Sequence, residues 1–309
     1  MEAADTILET QSHPINFTVG SRRLFSMKRE LATASFTLES ALARRLPDLP
    51  QHPDGDGLRV LSAPVDLANS ICAAYPGFLR GAEQRYRRHY IPMDAGFDAY
   101  LAQFSGKTRA TLRRKRRKLE AAGNGALDLR SYRTPDEIDT FFAHALPLSR
   151  KTYQARLLDA GLPESKAERA AARKLADDDA VRAFLLFLDG LPAAYLYLPV
   201  TGDTLVYAFL GYDPKHAALS PGTVLQMAAL ELLFAEGRFA YFDFTEGEGA
   251  HKAMFGMQSV DCVTFLLMKP TIANRALIGA QAVFDNVVAA GKSVSRKAGI
   301  ETRLNRLFR

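Results

Sequence analysis

Residues 182–214 read RAFLLFLDGLPAAYLYLPVTGDTLVYAFLGYDP, and this stretch decides the fold. It holds three β-rich runs, 182–188, 192–200 and 204–212, separated by Asp189–Gly190 and Gly202–Asp203. Such pairs tolerate the left-handed backbone of tight hairpins, so the three runs are predicted to form an antiparallel meander. Downstream, LSPGTVL (219–225) begins a long apolar run that stops near Gly237. Ser at the N-cap with Pro at the first helical position predicts a helix start there, the serine capping free N–H groups. Gly222 in the first turn lets another molecule approach those donors at the positive end of the helix dipole, the layout of an anion site; a plain cap is the alternative. The helix is apolar around most of its circumference and is predicted to be buried between a sheet and another layer. RFAYFDFTEGEG (238–249) supplies a return strand, which after a helical crossover runs parallel to the strand before it. A last strand, DCVTFLLMKP, ends at Pro270.

Upstream, Ser105 is predicted to cap a helix ending at Gly123 with Leu112 and Leu119 as a thin apolar seam. Eight basic residues lie between Lys107 and Lys118, so the rest of its surface is cationic. Thr134–Pro135 marks another helix start and Gly161 a stop, and residues 163–180 read as helical. Residues 1–104 read as mixed α/β, with a strand at 58–64, partly helical 66–79, and a surface turn or linker in PDLPQHPDGDG (47–57). Residues 271–309 read as one long basic helix or two. In its final part Lys292, Arg296, Lys297, Arg303, Arg306 and Arg309 alternate with Ile300, Leu304, Leu307 and Phe308. A solvated tail packing its apolar side on the body is one reading, and contact with a membrane surface or partner complex the other. The expected segments are thus 1–104, 105–270 and 271–309.

With 309 residues and a net charge of +6, the composition is that of a globular chain. The N-terminal residues lack the basic start and apolar core of a signal peptide, and no stretch approaches ~20 uninterrupted apolar residues. Cys72 and Cys262 are too few and too far apart for a disulfide framework or a metal cluster, which fits a reducing compartment, so a cytoplasmic protein without a metal is expected.

In order and spacing, FDAYLAQFSGKTRATLRRKRRKLE (97–120), LSRKTYQARLLDAGL (148–162), GYDP with LSPGTVL, and DFTEGEGAHKAMFG (243–256) resemble the GNAT acyltransferase superfamily. The branch is that of the cellulose-biosynthesis acetyltransferases and the Fem-type aminoacyl transferases. The resemblance implies an α/β fold with a mixed sheet flanked by helices, preceded by a smaller α/β domain that is a degenerate copy of it. It implies an acetyl-CoA or other acyl-CoA donor, with Leu219, Ser220, Gly222 and Thr223 around its diphosphate. Phe209, Leu210 and Gly211 then lie along its pantetheine arm, and the thioester sits in a V-shaped opening between two central parallel strands. A single glycine after Ser–Pro replaces the richer superfamily loop, so an aminoacyl-tRNA donor, as in the Fem-type relatives, stays open. In this branch the helix carrying Arg150, Lys151 and Tyr153 faces the cleft, and Tyr153 and Tyr212 can stack on or hydrogen-bond the acceptor. The acceptor class is an amine on a small molecule, a peptide or a polysaccharide.

Amine acylation needs a base for the ammonium proton and a donor for the oxyanion. Asp243, Glu246 and Glu248 are available bases, while His251 and Lys252 are available acids or oxyanion partners. Asp243 lies at a strand end, where open sheets place chemistry, and a turn-forming bond to the following loop is its other role. His251 stands where the family pattern has an aromatic. The cationic helix either binds RNA phosphates or forms an electropositive rim for an anionic donor; it lacks interleaved aromatics for base stacking. A non-catalytic binding module of the same fold is the remaining reading.

Overall fold

A computed structural model describes residues 10–19, 22–152, 161–247 and 249–297. The chain divides into two compact units, Met1–Arg87 with Val260–Arg309, and Arg88–Ser259. Following the chain, β1 (Thr10–Val19), β2 (Arg22–Ser35), α1 (Leu38–Leu42), β3 (Gly57–Pro64), α2 (Ala68–Ala73) and most of β4 (Leu79–Pro92) build the first unit. The second unit takes the end of β4, then α3 (Gly96–Ala102), α4 (Gly106–Ala122), β5 (Asp128–Tyr132), α5 (Pro135–Ser149) and α6 (Lys166–Asp177). It continues through β6 (Val181–Leu188), β7 (Leu191–Thr201), β8 (Thr204–Val206), β9 (Phe209–Tyr212), α7 (Pro221–Glu236), β10 (Tyr241–Asp243) and α8 (Ala250–Phe255). Then β11 (Gln258–Met268) leads back into the first unit, which ends with α9 (Ile272–Lys297).

The unit boundaries fall earlier than the expected breaks at 104 and 270. The physical reason is pairing and packing. Residues 90–92 of β4 pair antiparallel with β10, and α3 packs on α7, so both belong to the second unit. In the first unit β11 pairs antiparallel with β3, and β3 runs parallel to β2. Leu277 of α9 is buried with Ile15, Phe17 and Leu31. The basic tail residues from Lys292 onward have no described side chains, and those beyond 297 lie outside the described residues.

The second unit carries the predicted meander. Asp189 and Gly190 adopt φ of 52° and 73°, the left-handed pair of a type I′ turn, and β6 and β7 close around it. The third run is split: β8 pairs with the end of β7 and β9 with its middle. β10 runs parallel to β8 after the α7 crossover. One face of this sheet holds α7, through Leu225, Ala229, Leu230 and Leu233 against Phe184, Leu196, Leu198 and Phe242. α5 and α6 cover the other, with Ile138, Phe141, Phe142 and Ala172 against Leu185, Tyr195 and Tyr197.

Local signals act as the sequence indicates at α4 and α5. Ser105 accepts the Thr108 N–H at 3.2 Å, and Leu112 and Leu119 are the buried residues of α4. Thr134 and Glu137 form a capping box. α5 ends at Ser149, whose hydroxyl accepts from the Leu162 N–H and the Tyr195 phenol; residues 153–160, which lead to the expected stop at Gly161, lie outside the described residues.

Candidate active site at the strand fork

The fork arises because the strand after the α7 crossover is short. β10 keeps register with β8 from Tyr241 opposite Thr204 to Asp243 opposite Val206, and the Tyr207 N–H donates to the Asp243 carbonyl at 2.9 Å. Beyond that bond β9 pairs with β7, and the two parallel strands part. Tyr207 stands on one arm and Phe244 on the other. The His251 ring from α8 lies across the opening, its centroid 6.1 Å from Tyr207, 6.4 Å from Phe244 and 4.7 Å from Phe255.

Gln226 of α7 reaches the same ring. Its Oε1 lies 2.6 Å from His251 Nε2, and the Tyr207 hydroxyl lies 3.5 Å from that nitrogen. Gln226 is fully buried, and its Nε2 has no hydrogen-bond partner among the described residues. Burial holds the His251 pKa below the usual imidazole value, and the positive charges of Lys115 and Lys252 push in the same direction. Burial likewise raises the Tyr207 phenol, so it stays protonated.

Asp243 is buried at the end of β10 and meets Arg88 through two hydrogen bonds, Nε to Oδ1 at 3.1 Å and Nη2 to Oδ2 at 2.6 Å. Its Oδ1 also accepts the Thr245 N–H at 2.8 Å, the turn-forming role open to it in the sequence. Thr245 has φ of 62°, and a left-handed β-branched residue costs on the order of 1–3 kcal/mol, so this carboxylate holds a strained loop in place. Glu246 is exposed, and its main-chain carbonyl, rather than its carboxylate, accepts the Lys252 ammonium. Burial lowers the Lys252 pKa, while Asp243 and Glu246 draw it back up. Glu248 lies outside the described residues.

At the start of α7 the serine behaves differently from the sequence expectation. Ser220 occupies the N-cap but sits at φ 56°, ψ 48°, and its side chain makes no capping bond. It joins the 3₁₀ turn Pro214–Leu219 to α7, and the left-handed geometry that makes the corner turns the hydroxyl out of capping position. Gly222 is explained by packing: a Cβ there meets Leu210 Cδ2 at 3.0 Å and Tyr212 Cδ1 at 3.3 Å. The first-turn N–H groups of Gly222 and Thr223 precede the helical ladder, and the uncapped Ser220 leaves them to an anion. Lys118 of α4 donates to the Ala218 carbonyl at 3.1 Å and adds positive charge beside them. These features fit a phosphate-bearing donor. Phe209 and Leu210 are half-buried on β9, and Gly211 is small because Tyr195 crosses it, a Cβ there falling 2.5 Å from the ring.

Arg150 is exposed and forms a two-pronged pair with Glu164, at 3.1 and 2.9 Å. Tyr153 lies outside the described residues, while Tyr212 is 40% exposed beside Gly222. Sequence reasoning missed Arg88, Tyr207 and Gln226. A lone glutamine in the apolar run TVLQMAAL, four residues after Gly222, was the available signal; among Arg85, Arg87 and Arg88 of β4 nothing singles out Arg88.

Residues 106–253 match the acetyltransferase (GNAT) domain family. This domain belongs to the GNAT superfamily. The second unit is thus a GNAT fold opened at its parallel strand pair. The chain is similar to the C-terminal domain (DUF2156) of a putative lysylphosphatidylglycerol synthetase from Agrobacterium fabrum, at 13% identity over 88% of each chain with a TM-score of 0.51. FemX is similar at 12% identity over 84% of this chain and 89% of that one, also at 0.51. Likeness at these identities is likeness of fold. No curated protein matches the chain. Among the described residues no helix of the GNAT domain or the flanking unit is long and apolar enough to cross a membrane, and no His, Cys, Asp and Glu group is placed to hold a metal ion.

Proposed function

We propose that the chain is an N-acyltransferase that moves an acyl group, foremost acetyl, from acyl-CoA to an amine of a small molecule, peptide or polysaccharide. The carrying observation is the fork between Tyr207 and Phe244 beside the uncapped start of α7. The donor brings the acyl group already activated as a thioester. Leu219, Ser220, Gly222 and Thr223 hold its diphosphate through main-chain N–H groups and hydroxyls, and Phe209, Leu210 and Gly211 flank its arm. His251, neutral near pH 7, takes the proton of the attacking amine and returns it to the leaving sulfur. Lys252 supplies positive charge to the oxyanion. Asp243 is the anchor of this loop through Arg88, and Glu246 orients Lys252 through its carbonyl. Tyr212, Arg150 and Tyr153 are assigned to the acceptor side.

A shortened repeat in the first unit supports reading it as a degenerate GNAT copy. There β1–β2, α1 and a β3 parallel to β2 follow the order of β7–β8, α7 and a β10 parallel to β8. In this reading the enzyme works in the cytoplasm, with the basic tail as a surface for a partner complex or membrane.

The aminoacyl-tRNA reading has one observation in its favour. Arg113, Arg114 and Arg117 of α4 are exposed and have no ion-pair partner among the described residues. Calorimetric titration of acetyl-CoA, longer acyl-CoA and aminoacyl-tRNA into the protein separates the two. Saturable binding of a CoA ester at micromolar to millimolar concentration is expected. Binding of charged tRNA without any CoA ester overturns the donor assignment.

A further inference from the structure

Buried polar side chains are normally satisfied, and one that is half satisfied detracts from stability. Gln226 is such a group: one amide atom meets His251 and the other has no hydrogen-bond partner among the described residues, in a helix otherwise filled with Val224, Leu225, Ala228 and Ala229. An apolar residue of the same length would pack there without the orphaned amide. A residue kept against stability, touching the one imidazole at the strand fork, points to a role in the chemistry.

We infer that Gln226 is a positioning residue, which fixes His251 as the Nε2–H tautomer through its Oε1 and thereby makes Nδ1 the basic atom of the site. The inference rests on the acyltransfer reading for its consequence, although its geometry stands apart from any donor. With its Oε1 turned to the ring, Gln226 can only accept, so the 2.6 Å contact places the proton on His251 Nε2. In the neutral ring Nδ1 then carries the lone pair. In the transfer, the amine nitrogen bonds to the acyl carbon, Nδ1 takes the amine proton, the bond from carbon to the leaving atom breaks, and that atom receives the proton back. The nitrogen free of Gln226 works while the one held by Gln226 stays fixed. Such division of the two nitrogens is how histidine bases are kept in register. The orphaned Nε2 of Gln226 is the price of aiming Oε1 at the ring.

The charged and titratable groups facing His251 are Lys115 of α4, Lys252 of its own helix and the Tyr207 phenol at the fork; α7 contributes the neutral Gln226. Replacing Gln226 therefore alters the ring's hydrogen bonding without removing a charge.

The test uses full-length ¹⁵N-labelled protein, with His251→Asn to assign the ring signals. Two-bond ¹⁵N–¹H spectra are expected to show His251 with Nε2 protonated. In Gln226→Met the ring should become a mixture of tautomers, while thermal stability is unchanged or raised. Gln226→Glu, whose carboxylate favours the imidazolium, should move the His251 titration up by about one unit or more. Against the acyl donor found by calorimetry, Gln226→Met should lower kcat about tenfold or more with the donor KM little changed. In Gln226→Glu the acid limb of the rate profile should move with the ring titration. An unchanged tautomer and titration in both variants overturns the inference, as does a Gln226→Met protein with full kcat. If the unaltered protein turns over neither a CoA ester nor an aminoacyl ester, the acyltransfer reading falls, and the tautomer spectra alone decide the role of Gln226.

Discussion

Arg88 and Asp243, 155 residues apart in sequence, form a buried two-pronged ion pair in which the guanidinium is 8% exposed and the carboxylate 1%. The pair closes the base of the strand fork. Through Oδ1 it also holds Thr245, the left-handed residue that opens the loop toward Lys252. Removing one partner leaves the other charged and out of water. Arg88→Met or Asp243→Asn is thus expected to cost about 3–5 kcal/mol, measured by urea unfolding. The double replacement Arg88→Met with Asp243→Leu should recover much of that loss. A single-variant cost below about 1 kcal/mol contradicts the anchoring role.

Gly222 of α7 and Gly211 of β9 are tested by the same logic. Gly222→Val pushes into Leu210 and Tyr212, so overpacking of about 1–3 kcal/mol is expected in place of a purely helical propensity effect. Gly211→Ala meets the Tyr195 ring and should cost at least as much, because a ring packed in the core yields less than the Leu210 side chain. Denaturation midpoints of the two variants measure this. A Gly211→Ala protein as stable as the unaltered one shows that β9 is free to move away from β7.

His251 contributes a pH dependence to stability. Its pKa in the folded protein lies below the unfolded value of about 6.5, chiefly through burial. The unfolded chain therefore binds the proton first as pH falls. Stability is full above pH ~6.5 and declines as pH drops through the folded pKa, by at most about 1.4 kcal/mol per pH unit for this single group. Comparing unfolding free energies between pH 5 and 8 in the unaltered protein and in His251→Phe isolates the contribution. An identical pH slope in the two proteins removes His251 as its source.

The proposed donor is anionic, and α4 is expected to act on it through charge. Arg116 is already held by Glu120 and Glu231, so Arg113, Arg114 and Arg117, exposed and without an ion-pair partner among the described residues, are the ones to reverse. Replacing these three by Glu should weaken donor binding at low salt and flatten its salt dependence. Each lost phosphate contact removes a log–log slope of about 0.7–0.9 if the donor is a nucleic acid. Titrations across a range of salt concentrations read this directly. A slope unchanged by the three replacements excludes α4 from the donor site.

The sequence by itself determined the order of elements in the GNAT domain. The β6–β7 hairpin is written in Asp189–Gly190, the start of α4 in Ser105 and that of α5 in Thr134 and Glu137, since each signal acts within one turn of chain. The parallel return of β10 followed from the length of the α7 crossover. Tertiary structure decided which partner each polar group meets. Asp243 was readable as a base or as a turn residue, and only the arrival of Arg88 from β4 made it an anchor. Ser220 was readable as a cap, and only the 3₁₀ turn before it forced the left-handed corner that undoes the cap. His251 and Gln226 meet across the fork for the same reason. A short-range signal specifies backbone conformation, whereas the partner of a buried polar atom depends on what the rest of the chain packs against it.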